Sequence, residues 1–145
     1  MGKQTETARV TFSEIEEAFF FVNSAEMGMH SAVLHRPTGQ VYFSSEIGDM
    51  DEISAADLDW DVCIDIPNKN ELGLGQDLVF EFVADHLPDD DGRVRQIFRR
   101  RGAYGRFKDL LESRGVLQTW YDFENQRGEQ ALRRWCEENQ IVLAG

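Results

Sequence analysis

Cysteine, proline and histidine are all scarce in this chain, at two, three and three residues of 145, and its 15 lysines and arginines are outnumbered by 27 aspartates and glutamates. Each shortage excludes something. Cys63 and Cys136 form no CxxC pair, which removes the common zinc and dithiol patterns and leaves two reduced thiols as the expectation. His30 and His35 stand five apart in a strand-like run, hence on opposite faces, and His86 falls on a helical run. No HExxH or three-ligand pattern arises, so neither a metal nor a cofactor is expected. Long apolar runs are missing too. The stretch Ala18–Val22 is far too short to span a bilayer, and Glu14, Glu16 and Glu17 stand where a secretory signal would carry positive charge. A cytoplasmic protein with no membrane contact is the expectation. Gly73-Leu-Gly75 is half of a phosphate-loop pattern and too short to carry weight, and no internal repeat or low-complexity tract is present.

What the chain does contain is apolar bulk and sharply segregated charge. Hydrophobic residues make up 41 % and aromatics 11 %, including ten Phe and three Trp, enough to build a core without covalent staples. The net charge of −12 opposes binding to nucleic acid or anionic lipid on average. The average conceals two opposite segments. Glu46–Asp91 holds fifteen acids and one base, Lys69, whereas Arg93–Lys108 holds seven bases and no acid.

Residues 1–10 show no apolar periodicity and read as a loose tail, followed by one domain over 11–145. Thr11-Phe-Ser-Glu14 fits a capping box, and Phe12, Ile15, Phe19 and Val22 recur at helical spacing, predicting a helix to about Val22. The period then changes to two over 29–45, with Arg36-Pro37-Thr38-Gly39 between the runs, which predicts a β-hairpin. Residues 46–61 read as loop with one helical turn near Ala55–Leu58, and Val62–Ile66 as a short third strand halted by Pro67. Four helices follow. The first has Leu78, Val79, Phe82, Val83 and His86 on one face and ends at Pro88. The second opens at Asp89-Asp90-Asp91 and buries Val94, Ile97 and Phe98. The third follows the break at Gly102, carries Phe107, Leu110 and Leu111, and stops at Gly115. The last spans about Leu117–Glu138, with Gly128 suggesting a close backbone contact. Ile141-Val142-Leu143 is read as a short extended end. The fold class is therefore α+β: an N-terminal helix and β-hairpin plus a short third strand, packed on a C-terminal bundle of about four helices.

In the second half, Arg101-Gly-Ala-Tyr104-Gly-Arg106-Phe-Lys-Asp-Leu-Leu111, then Trp120-Tyr-Asp-Phe123 and Ala131–Cys136, resembles the uncharacterised protein family zero-one-five-eight of small bacterial proteins. Members share a G-[KR]-G-A-F-x-R-F-K-D-type segment and a W-[YF]-x-F segment, and the likeness extends more loosely to the hairpin and Ile66-Pro67. This chain has Tyr104 where Phe is usual and Gly105 where a basic residue is expected. The resemblance implies one domain in a bacterial, cytosolic setting, and the family has no established activity to carry over.

The basic segment is the first candidate ligand site: Arg99, Arg100, Arg101, Gly102, Tyr104, Arg106 and Lys108 surround the start of a helix, whose free N–H groups favour anions. The bland alternative makes Gly102 and Gly105 a tight turn, sends Tyr104 and Phe107 to the core, and pairs the arginines with the acidic stretch 46–91 of the same chain. The second candidate is a partner-binding surface of Asp57, Asp59, Trp60 and Asp61, where Trp60 is either an exposed anchor or a lid over the core. Neither Asp49-Met-Asp51-Glu52 nor Asp57-Leu-Asp59-Trp-Asp61 has the glycine and terminal glutamate of a calcium loop. No catalytic residue is assigned; an enzymatic role would need Asp65, Asp109 or Glu124 in a cleft that raises its pKa. The reading is a non-catalytic protein-interaction module, with a protein partner or self-association. The alternative is a phosphate-bearing ligand or nucleic acid on the basic turn.

Overall fold

The computed structural model describes residues 7–25, 28–48 and 50–144, so Asp49 and residues 1–6 of the expected tail lie outside them. Among the described residues the protein is α+β, with six α-helices and two sheets. Its contacts cluster into two compact units, a sheet unit of residues 1–72 and 131–145 and a helical unit of residues 73–130.

The sheet unit begins with a strand, not a tail. β1 (Ala8–Thr11) pairs in parallel with β6 (Ile141–Ala144), Ala8 opposite Ile141 and Thr11 opposite Ala144. Ala8 and Val10 are buried while Arg9 points outward, so the strand has a core face only two residues long. α1 (Phe12–Val22) starts on the expected cap: the Glu14 amide donates to Thr11 Oγ1 at 3.1 Å, and the Thr11 hydroxyl donates to the Glu14 carboxylate at 3.0 Å. Its buried stripe is Ile15, Ala18, Phe19 and Val22.

The predicted hairpin forms as β2 (His30–His35) and β3 (Gln40–Ser45), with Val33 opposite Tyr42 and Leu34 opposite Val41. Its turn is closed by the Gly39 amide on the His35 carbonyl at 2.8 Å. Gly39 has φ +72°, and a Cβ there would lie 2.0 Å from the Arg9 carbonyl oxygen, so the turn closes against β1 in a way only glycine permits. β4 (Met50–Asp51) and β5 (Cys63–Asp65) complete an antiparallel sheet in the order β4-β3-β2-β5. The helical turn expected near Ala55–Leu58 lies earlier, as α2 (Glu52–Ala55), because the Asp51 carboxylate accepts from the Ser54 amide and starts the helix there.

In the helical unit α3 (Gln76–His86), α4 (Asp91–Ile97), α5 (Ala103–Ser113) and the first part of α6 (Leu117–Glu138) surround one core. Leu78, Val79, Phe82, Val83, Val94, Phe107, Leu110, Leu111 and Trp120 are buried there. Each such side chain contributes about 1.5–3 kcal/mol relative to exposure. Trp120 takes the rings of Phe82 and Phe107 edge-on at 5.3 and 5.1 Å, so aromatic packing organises the centre. Gly115, at φ +73°, ends α5, and the Val116 amide reaches back to Leu111. Gly128 is a correction: a Cβ there meets nothing within 4 Å, so no close backbone contact explains it.

Candidate functional site: the cationic trough of the helical unit

The turn from α4 into α5 separates aromatic from cationic side chains. Gly102, at φ +74°, reverses the chain, and Phe98 then meets Tyr104 and Phe107 edge-on at 5.0 and 5.6 Å. Burial draws these rings toward the core and leaves Arg99, Arg100 and Arg101 exposed. Arg106 stabilises the turn itself: its guanidinium donates to the carbonyls of Arg101 at 2.8 Å and Ile97 at 3.4 Å, satisfying acceptors that the end of α4 leaves open.

Arg93, Gln96, Ile97, Arg99, Arg100 and Arg106 line an open groove of about 610 Å³. A second depression of about 310 Å³ shares Arg93, Ile97 and Arg106 and adds Asp109, Leu110 and Ser113, so the two form one trough between α4 and α5. Of the residues singled out from the sequence, Arg99, Arg100 and Arg106 line it. Arg101 is exposed beside it, contributing its carbonyl to Arg106, and Gly102 supplies the turn. Tyr104 is half-buried against Phe98, where burial first and Glu124 second push its hydroxyl pKa upward. Lys108 lies 5.6 Å over the Tyr121 ring, away from the lining. Arg93, Gln96 and Ile97 are lining residues the sequence reading missed. Their signal was the spacing of positions 93, 96 and 97, one helical face.

Three acids of the helical unit are engaged by other arginines. Asp91 pairs with Arg95 at 2.9 Å, Asp90 with Arg114 through two bonds of 3.0 and 3.1 Å, and Glu81 with Arg127. Arg114 holds the Asp90 carboxyl below its usual range. Arg99, Arg100 and Arg101, by contrast, make no ion pair with the described residues of their own unit. Of the acidic stretch 46–91, Glu81, Asp90 and Asp91 thus pair with arginines other than Arg99, Arg100 and Arg101, while the turn and the core-directed Tyr104 and Phe107 of the bland alternative are present.

In the sheet unit Asp57, Asp59, Trp60 and Asp61 are all exposed, Trp60 by 59 %. Trp60 is therefore no lid over the core. The Asp59 carboxylate accepts from the Asp61 amide at 3.1 Å and starts a 3-10 turn over Trp60–Val62, which buries Val62 and turns the indole outward. Ile47 and Met50 add further exposed apolar surface, at 66 % and 42 %.

The remaining chemistry-bearing residues are occupied in packing. Burial pushes the Cys136 thiol up to about 11, with Arg133 opposing, which leaves it protonated at neutral pH. Cys63 is raised as well, by burial and then by Asp59 and Asp65, and both cysteines are free. The His30 ring stacks on Phe21 at 4.4 Å, and His35 bonds the Thr38 hydroxyl at 2.8 Å. Among the described residues no three metal-ligating side chains gather, and no helix is long and apolar enough to cross a membrane. Compared with known proteins, the chain matches no family model, no curated sequence and no solved structure.

Proposed function

We propose that this protein is a non-catalytic interaction module whose recognition surface is the arginine trough of the helical unit, occupied by an acidic segment of a protein partner. The observation that supports this most is the state of Arg99 and Arg100: exposed, in an open groove, and without an ion pair to the described residues of their unit, while Asp91, Asp90 and Glu81 are bound by Arg95, Arg114 and Arg127. Guanidinium groups left in that condition donate paired N–H bonds to carboxylates at little desolvation cost. The acidic rim of Asp57, Asp59 and Asp61 around exposed Trp60 serves as a second contact surface, suited to a basic partner or another copy. The resemblance to family zero-one-five-eight adds a bacterial, cytosolic setting to the proposal.

A phosphate-bearing ligand is the second reading, favoured by the amino end of α5. Gly102 provides no side-chain cap there, so backbone donors face the same region as the arginines. The net charge of −12 works against a long polyanion. Anisotropy with a labelled oligoglutamate and a labelled oligonucleotide at low salt separates the two readings. The proposal expects oligoglutamate to bind more tightly than the oligonucleotide, and the double substitution Arg99→Glu, Arg100→Glu to weaken it by roughly tenfold or more. No oligoglutamate binding by the wild type, or binding indifferent to the double substitution, would sink it.

A further inference from the structure

The trough is not uniformly cationic along its length. Positions 93, 96 and 97 on α4 and 106, 109, 110 and 113 on α5 recur at helical spacing, so the two helices each present one lining face to the trough, with Arg99 and Arg100 added from the turn that follows α4. Because α5 returns from the turn at Gly102, Arg99 and Arg100 line only the groove at the turn end and Asp109, Leu110 and Ser113 only the depression beyond it, while Arg93, Ile97 and Arg106 border both. At about 1.5 Å per residue, Arg106 and Ser113 are separated by roughly 10 Å along the helix. At the end away from the turn Asp109 is the one carboxylate among the described lining residues, and the floor there is apolar, made by half-buried Ile97 and by Leu110. The Ser113 hydroxyl there is already donated to the Leu110 carbonyl at 2.7 Å.

We infer that the trough reads the distribution of charge along its partner, with Asp109 as the specificity-determining residue: carboxylates at the turn end, neutral apolar side chains at the far end. This rests on the reading that an acidic protein segment occupies the trough. A uniformly acidic segment would bring a carboxylate against Asp109, and like charges at that separation repel even when exposed. A segment with its acids gathered at one end avoids the repulsion and lays its apolar part over Ile97 and Leu110.

Two labelled peptides of identical composition test this, one with glutamates at one end and leucine and serine at the other, the second with glutamates evenly spread. Wild-type protein is expected to favour the first by about fivefold at low salt, and Asp109→Lys to abolish or reverse that preference. Asp109→Asn, with circular dichroism as a folding control, should fall between them. Equal affinity of the wild type for both peptides, or a preference that survives in both variants, overturns the inference and leaves the trough an acidic-segment site without polarity. Failure of both peptides to bind, or tighter binding of an oligonucleotide than of both, overturns the underlying reading as well.

Discussion

Two glycines with opposite surroundings show how much a single hydrogen atom can decide. Gly39 sits at positive φ with the Arg9 carbonyl where a Cβ would go, so Gly39→Ala must both adopt a left-handed conformation and push β1 away. A loss of about 2 kcal/mol or more is expected from urea titrations of the variant. Gly128 lies inside α6 with open space around its Cα. There Ala removes conformational freedom from the unfolded chain and meets no obstacle, so Gly128→Ala should raise stability by about 0.5–1 kcal/mol, measured the same way.

At the scale of elements, the chain's local signals act where its structure is local. The Thr11 capping box, the Pro-Thr-Gly turn of the hairpin and the left-handed Gly102 and Gly115 stops all lie within a few residues of what they control, and α1, β2, β3, α5 and α6 were legible from them. β1 escaped because its partner, β6, is more than a hundred residues away and its core face consists of Ala8 and Val10 alone. α2 was misplaced because the Asp51 cap competes with the mild apolar pattern that follows it. The basic segment was equally legible as composition, but which arginines face solvent was not. That depends on tertiary pairs such as Arg114 with Asp90, 24 residues apart, which joins the entry of α4 to the exit of α5. The pair also has a pH signature. Asp90 is held below its ordinary value of 3.8, so its stabilisation is fully present above about pH 4 and is lost as pH falls through the lower folded value. Acid unfolding of Arg114→Ala, followed by circular dichroism, should therefore begin at higher pH than that of the wild type.

For the whole molecule, folding and recognition respond to salt with opposite signs. A net charge of −12 repels itself in the compact state, whereas the proposed contact at the trough is an attraction between unlike charges. Raising NaCl from about 20 to about 300 mM should move the urea midpoint upward and weaken acidic-peptide binding in the same preparation. A parallel change in both would mean that the trough is not where the peptide sits. The parallel pairing of β1 with β6 also bears on the order in which the protein can be made. Strand Ala8–Thr11 has no strand partner until Ile141–Ala144 is synthesised, whereas residues 73–130 form an uninterrupted stretch whose core residues are all present sooner. During translation the arginine-bearing unit can therefore mature while the unit holding both strands still waits for its closing segment, leaving chaperones a half-built sheet to shield.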